Sequence, residues 1–503
     1  MEPKENSRVV HGDWQTPENL ALEITRLVHQ WIEPDLVIEP NCGLGAFLKA
    51  AKNEFSDSCR FWGGDINSEY VKVVQEELKI PAFHEDFFTG EWKVQIGQNT
   101  GKILVLGNPP WVTNSEITRR EGTNLPPKMN RENVPGIEAI TGKSNFDISQ
   151  WMIQEELQAL QGKTAVLAML CKTSAARKVL EFAWKKNLRF TKAQIRKIDA
   201  AEHFGVSVDA ALFVVCFQPQ TDRKETPCEV YDSLSRDAKP VEKLGIRHKV
   251  LVRNTEIVDR FSHLLFPETT PLTWRSGVKH DCAKIMELTR TETGLFQNGL
   301  GEMYELEPDL VFPLLKSSDV ANGRTRQISR FILMPQTRVG QDTRYIEKEF
   351  PLTWKYLTEH SDWFSRRKSS IYSGKAPFSI FGVGDYSFSP WKIAISGLYK
   401  RLNFQVIGPF EGKPVLLDDT CYFLECSAPE NGQEQAELLK EIFQSEICGE
   451  LLESLIFWDA KRPVTREILN RISILNLADC LNRGNKLCEF FPCFENENLL
   501  IHF

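Results

Sequence analysis

The chain has no Cys-x-x-Cys pair, no apolar run near the ~18 residues of a membrane span, and no surplus of positive charge. Its twelve cysteines are irregularly spaced. The closest pairs, Cys421/Cys426 and Cys488/Cys493, have no accompanying histidines of zinc-site type. Free thiols in a reducing cytoplasm are the simplest account. The N-terminal MEPKENSRVVHGD carries no apolar signal core. Together these absences lead us to expect a soluble, cytoplasmic protein without a metal. The chain also contains no internal repeat and no low-complexity segment.

Lys and Arg number 61 against 68 Asp and Glu, for a net charge of −7. That balance argues against a wholly basic nucleic-acid binder, but the charge is segregated. Residues 162–200 hold ten basic and two acidic side chains, and residues 320–410 hold fourteen and six. The tail 411–503 reverses the sign, with eight against seventeen. Two basic blocks in an acidic chain can build a local phosphate-binding face, although any single block also reads as solvated surface.

With 503 residues, 42% hydrophobic and 26% charged, the chain suits two or three globular domains. Apolar strand-like runs alternate with helical patterns through the first ~220 residues, as in a parallel, doubly wound α/β sheet. The runs are Leu36–Ile38, Arg60–Gly64, Ile103–Leu106, Thr164–Cys171, Ile195–Ile198 and Ala210–Phe217. Thr113–Ser144 is polar, broken by Gly and Pro, and too long for an ordinary connection, so it is either disordered or functional. From about residue 246 short irregular strands and turns suggest a mixed α+β domain, with an acidic helical stretch at 432–457. The expected division is 1–245 and 246–503.

Three motifs carry chemistry. In LVIEPNCGLGAFLKAAK a strand ends at Glu39, a turn holds Cys42, Gly43 and Gly45, and a helix begins near Ala46. Glycines there let the backbone turn sharply and a ligand approach. No Lys-Ser/Thr follows, which excludes a P-loop. Asp65 and Asp86 fall at the ends of the next two strands. Three acids along the carboxyl edge of a sheet favour a nucleotide-type site, since an acid at the second position can accept from ribose hydroxyls.

The second motif, ILVLGNPPW, runs a strand straight into Asn108-Pro109-Pro110-Trp111. Two prolines stiffen the turn and remove two N–H donors. The Asn oxygen beside a fixed carbonyl gives two convergent acceptors, suited to an exocyclic amino group, and Trp111 can stack on the ring that bears it. Holding both amine hydrogens favours a pyramidal nitrogen able to attack a methyl group, a benefit realised mainly in the transition state. The third motif is HGDWQTPENLALEI, in which Thr16 reads as an N-cap with Pro17 at the first helical position.

In this order the motifs resemble the DNA adenine-N6 methyltransferases whose cofactor motifs precede the catalytic motif and whose target-recognition region comes last. The resemblance covers the first ~220 residues closely. It implies S-adenosylmethionine as cofactor, with Thr16, Pro17, Glu39, Cys42, Gly43 and Gly45 around its methionine part. Asp65 would take the ribose hydroxyls, Ile66 the adenine face, and Asp86 and Phe87 the rest of the adenine pocket. Asn108 through Trp111 would hold the target base, and Phe204, in AEHFGVSVDAALFVV, would be either a second aromatic against it or a core residue. At Met169–Lys172 the chain departs from relatives, which often have an apolar-Pro pair there.

Reaching a base inside a duplex requires flipping it out and gripping the backbone around it. Double-stranded DNA is the expected partner, with Arg275, Lys279, Lys316, Ser317, Arg338, Arg366, Arg367, Lys368 and Lys392 as contact candidates, and a cognate restriction endonuclease on a separate chain as a further partner. A monomer is expected. The same fold acting on RNA adenine, cytosine N4 or protein glutamine remains open, as does a modification subunit that needs a partner to read sequence.

Overall fold

Short apolar runs without polar alternation make strands that are buried on both faces, and the first half of the chain is built on them. The computed structural model describes residues 14–112, 147–219, 226–267, 271–428 and 430–494. Thr113–Ser144 lies outside the described residues. The chain divides into two units, 1–255 and 256–503.

In the first unit the strands are β1 (Leu36–Glu39), β2 (Arg60–Asp65), β3 (Ala82–His84), β4 (Ile103–Gly107), β5 (Ala165–Lys172), β6 (Lys192–Ile198), β7 (Ala210–Phe217), β8 (Cys228–Tyr231), β9 (Glu242–Arg247) and β10 (Val250–Val252). They form one sheet in the order β10-β9-β8-β6-β7-β5-β4-β1-β2-β3. Every residue of β1 and β4 is buried. Helices α1 (Glu18–His29), α2 (Ala46–Glu54), α3 (Ser68–Glu76), α4 (Trp92–Gln98), α5 (Ile148–Ala159), α6 (Thr173–Lys185) and α7 (Ala200–Phe204) accompany the strands. Helix α1 shows how: Leu20, Ala21, Ile24, Leu27 and Val28 fall on one face and are all buried, the spacing of a helix laid on a core.

The expected Rossmann-like α/β fold is therefore observed, as a mixed rather than wholly parallel sheet. Strands β1 to β5 run parallel. β7 is inserted antiparallel between β5 and β6, because the short link through α7 returns the chain directly beside β6. β9 and β10 extend the sheet beyond position 245.

Strand order reverses at β1, which has β2 on one side and β4 on the other. Open α/β sheets bind ligands outside the carboxyl ends of the strands at such a switch point. Here those ends are Glu39 and Gly107-Asn108.

The second unit is α+β. A four-stranded antiparallel sheet orders β11 (Arg275–Ser276), β20 (Cys421–Cys426), β17 (Trp391–Ser396) and β18 (Gln405–Ile407). A six-stranded sheet comprises β14 (Met303–Tyr304), β13 (Phe296–Gln297), β12 (Glu287–Arg290), β16 (Arg330–Leu333), β15 (Val311–Leu315) and β19 (Leu416–Leu417) in that order. Its core gathers Ile285, Leu314, Ile332, Leu333, Tyr356 and Leu357. The acidic stretch at 432–457 forms two helices, α8 (Gly432–Phe443) and α9 (Glu446–Leu455), separated where Ser445 Oγ caps the second. All twelve cysteines are free thiols. Among the described residues no helix is long and apolar enough to cross a membrane.

Candidate functional site

Glu39, the last residue of β1, is only 3% exposed. Its Oε2 accepts from Leu48 N at 3.2 Å, which ties the strand end to the first turn of α2. Burial raises this carboxyl well above the ordinary range and the charge of Asp65 adds to the effect, while the Leu48 amide opposes it. Such a group gains its charge most readily beside a cation. A Cβ placed on Gly107 would lie 3.9 Å from Glu39 Oε1, so this acid stands directly beside the strand that leads into Asn108.

The turn after β1 is shaped by two different demands. Gly43 has φ +50 and Gly45 φ +80. A Cβ on Gly45 would meet Leu78 and Val74 at 2.7 and 2.9 Å, so this glycine serves helix packing. A Cβ on Gly43 would meet the Gln15 amide at 2.6 Å. Asp65, ending β2, accepts from Gly43 N through Oδ2 at 2.8 Å and from Asn67 N through Oδ1 at 2.8 Å. The buried Cys42 donates its backbone N–H to Gly64 O. Strand ends β1 and β2 are thereby laced together around the turn.

Other expected site residues sit differently. Ile66 is half exposed. Asp86 lies two positions past β3, where its Oδ1 accepts from Phe88 N. Phe87 is buried against Trp92 at 4.8 Å and Phe88 at 5.4 Å, so its ring belongs to a packed aromatic cluster. Thr16 is not an N-cap. Pro17, with ψ 139, holds that position and its carbonyl accepts the first helical bond from Ala21. The extended Pro17 starts α1 one residue later than the sequence pattern suggests.

Asn108 donates through Nδ2 to Trp14 O at 2.9 Å. Its Oδ1 is buried and has no hydrogen-bond partner among the described residues. An unpaired buried acceptor costs roughly 1–3 kcal/mol. Trp111 is 6% exposed, with its indole N–H on Leu170 O at 3.3 Å. Phe204, 9% exposed, meets it edge to face at 5.2 Å. Two rings enclosing a third stand ~7 Å apart, twice a ~3.5 Å contact. Trp111 and Phe204 are thus brought together, as mutual core contacts.

Three residues missed by motif reading belong here. Trp14 and Gln15 join the N-terminal segment to Asn108 and to the glycine turn, where Gln15 Oε1 accepts from Leu44 N at 3.0 Å. Lys172 is the third. Nothing in local spacing foretells contacts across such sequence distances.

The DNA-contact candidates of the second unit separate cleanly. Arg275, Arg338, Arg366 and Lys368 are exposed. Lys279 and Lys316 pair with Asp281 and Glu287 at 3.6 and 2.6 Å. Three are structural in this unit. Ser317 is buried, bonded to Thr420 O and Ser396 Oγ. Arg367 is half-buried, donating to Ser379 O at 2.6 Å and lying over the Tyr372 ring at 3.6 Å. Lys392, 1% exposed, donates to the carbonyls of Ser389 and Val415. As a basic residue in a charged stretch it read as surface, but it is the second residue of β17, an interior strand of its sheet.

Burial pushes the Lys392 ammonium down to about 7 from 10.5. Between those values the unfolded chain holds a proton that the folded one lacks, so stability rises with pH across this window. Urea unfolding is expected to show that rise, at most about 1.4 kcal/mol per pH unit. The rise should be flattened in Lys392→Met; an unchanged slope would place the charge elsewhere.

No protein-family model matches the chain. The type II methyltransferase M.NspV of Nostoc sp. (strain ATCC 29411 / PCC 7524) is 41% identical over 481 residues, spanning 94% of this chain and 98% of that relative. Among solved structures, that of the type IIL restriction-modification enzyme MmeI in complex with DNA aligns with a TM-score of 0.55. It covers 92% of this chain and 68% of that one at 12% identity, a likeness of fold.

Proposed function

We propose that this chain, which belongs to the type II methyltransferases, moves a methyl group from S-adenosylmethionine to N6 of an adenine in double-stranded DNA. The observation that carries this reading is the buried Oδ1 of Asn108, which has no partner among the described residues, at the switch point of the sheet. A primary amine on an aromatic ring satisfies it. Asn108 Oδ1 and the adjacent proline carbonyl take the two amine hydrogens once the base has rotated out of the stack, and Trp111 and Phe204, in mutual contact at 5.2 Å, must part before either ring can face it.

The residues on the other side of the switch point fit the cofactor. When bound, S-adenosylmethionine supplies an electrophilic methyl group on a cationic sulfur. Glu39 gives a buried acid for a positively charged ligand. A carboxylate oxygen accepts about two hydrogen bonds, so Asp65 can hold the turn and a ribose hydroxyl together. Thr16, Pro17, Cys42 and Gly43 line the methionine end, where Gly45 shapes the turn from behind by its packing on Leu78 and Val74, with Ile66, Asp86 and the Phe87 backbone along the adenine. In the second unit the exposed Arg275, Arg338, Arg366 and Lys368 are the phosphate-binding candidates, with Lys279 and Lys316 available by exchange of partners. The MmeI structure contains DNA, and its likeness in fold supports the second unit as the target-recognition domain. A separate restriction endonuclease is the natural companion, and the chain acts as a monomer.

The test is to incubate duplex DNA with the protein and methyl-labelled S-adenosylmethionine, then digest to nucleosides. Label is expected in N6-methyladenine. Label in N4-methylcytosine, or in RNA or protein only, overturns the acceptor. Binding to duplex should weaken steeply with salt despite the acidic chain. Arg366→Ala and Lys368→Ala should each lower the slope of log affinity against log salt by about 1.

A further inference from the structure

We propose that Lys172 is a positioning residue for methyl transfer: its ammonium ties the backbone at Trp111 to Asp147 and so holds the Asn108–Trp111 loop in its working shape. The proposal rests on the reading that this loop receives the target base.

The loop has an anchoring problem written into its sequence. Pro109 and Pro110 have no N–H, so the turn cannot be fastened by the amide hydrogens that fasten most turns. Side chains and carbonyls must do it. Asn108 Nδ2 is bound to Trp14 O at 2.9 Å and the Trp111 indole to Leu170 O at 3.3 Å. The third fastening is Lys172, the last residue of β5. Its Nζ donates to Trp111 O at 2.9 Å and to Asp147 Oδ2 at 2.8 Å.

Asp147 is itself fixed. Its Oδ1 accepts from Ser149 N at 3.1 Å and Ser149 Oγ at 2.5 Å, capping α5. The next residue, Ile148, donates its N–H to Val112 O at 3.0 Å. Two successive carbonyls after the prolines, those of Trp111 and Val112, are therefore bound to one helix start, the first through the lysine. The ion pair is partly withdrawn from water, with side-chain exposures of 26% and 11%. Removing one partner of such a pair leaves the other uncompensated.

An error of about 1 Å in a reacting group can cost 10²-fold in rate, so fastening this loop should register in the chemical step. It should leave cofactor binding alone, because the ammonium is bound at Trp111 and Asp147, whereas the cofactor residues Glu39, Asp65 and the glycine turn are fastened to one another.

Lys172→Met is expected to lower kcat about 10–100-fold with the KM for S-adenosylmethionine within twofold. Lys172→Arg should recover part of the loss. In Lys172→Ala, added ethylammonium should raise the rate with saturation, which a merely stabilising salt bridge would not produce. Wild-type kcat in Lys172→Met overturns the proposal, and so does a loss shared equally by cofactor affinity and unrelieved by amine. If Lys172→Met does not fold, Lys172→Arg and Asp147→Asn carry the same kcat-against-KM test. Retention of activity by Asn108→Ala would instead overturn the reading of the loop as the base site, so the two failures are distinct.

Discussion

Asn108→Ala is expected to reduce the single-turnover rate of methyl transfer by about 10²–10³-fold, the range seen when one charge-stabilising group is removed from an active site. Cofactor affinity, measured by calorimetry, should change little. The amide performs two tasks that the substitution removes together. Oδ1 is a buried acceptor with no partner among the described residues, and Nδ2 holds Trp14 O. Asn108→Asp separates them: it keeps an acceptor oxygen but sets a carboxylate against the Trp14 carbonyl. It should fall between wild type and Asn108→Ala in rate and be less stable than either. A wild-type rate in Asn108→Ala would remove this residue from the chemistry.

The parts legible in the sequence were those encoded locally. Continuous apolar runs marked β1, β4, β5 and β7 because strands buried on both faces show no polar alternation. Glu39, Asp65 and Asn108 were legible because a polar residue at the end of such a run must lie at the sheet edge. Direction was not legible. The antiparallel placement of β7 depends on which neighbour it pairs with, and the apolar run Ala210–Phe217 would suit either orientation.

The same limit applies to the side chains. Lys392 and Ser317 read as surface groups, yet one is buried near the start of an interior strand and the other is buried against Ser396 at that strand's end. Burial of a cation is decided by carbonyls from residues 389 and 415, which no local pattern connects to position 392. Phe87 read as a pocket residue, whereas Trp92, five residues on, takes its ring into the core. Trp14 and Asn108 are 94 residues apart. The stiff turn Asn108–Trp111 at the end of β4 was readable from four residues, but what fastens those four in place was not.

Asp65→Ala should act at the opposite end of the site, raising the Kd for S-adenosylmethionine about 100-fold. A hydrogen bond to a charged group contributes about 1.5–3 kcal/mol, and each 1.4 kcal/mol is tenfold in affinity. Part of the loss would come from the free protein. Asp65 holds Gly43 N and Asn67 N at 2.8 Å each, and Asn67 in turn caps α3 through Glu69 N at 3.0 Å. Without the carboxylate, the glycine turn and the start of α3 lose their common tie, and the cofactor must bear the cost of ordering them. Asp65→Asn keeps one acceptor oxygen and should lose about tenfold. The kinetic signature separates this residue from Asn108. An interaction made equally in ground and transition states changes KM without changing kcat, so at saturating cofactor Asp65→Ala should recover most of the wild-type rate, whereas Asn108→Ala should recover none. A Kd within twofold of wild type would show that the carboxylate serves the turn alone and that the ribose is held elsewhere.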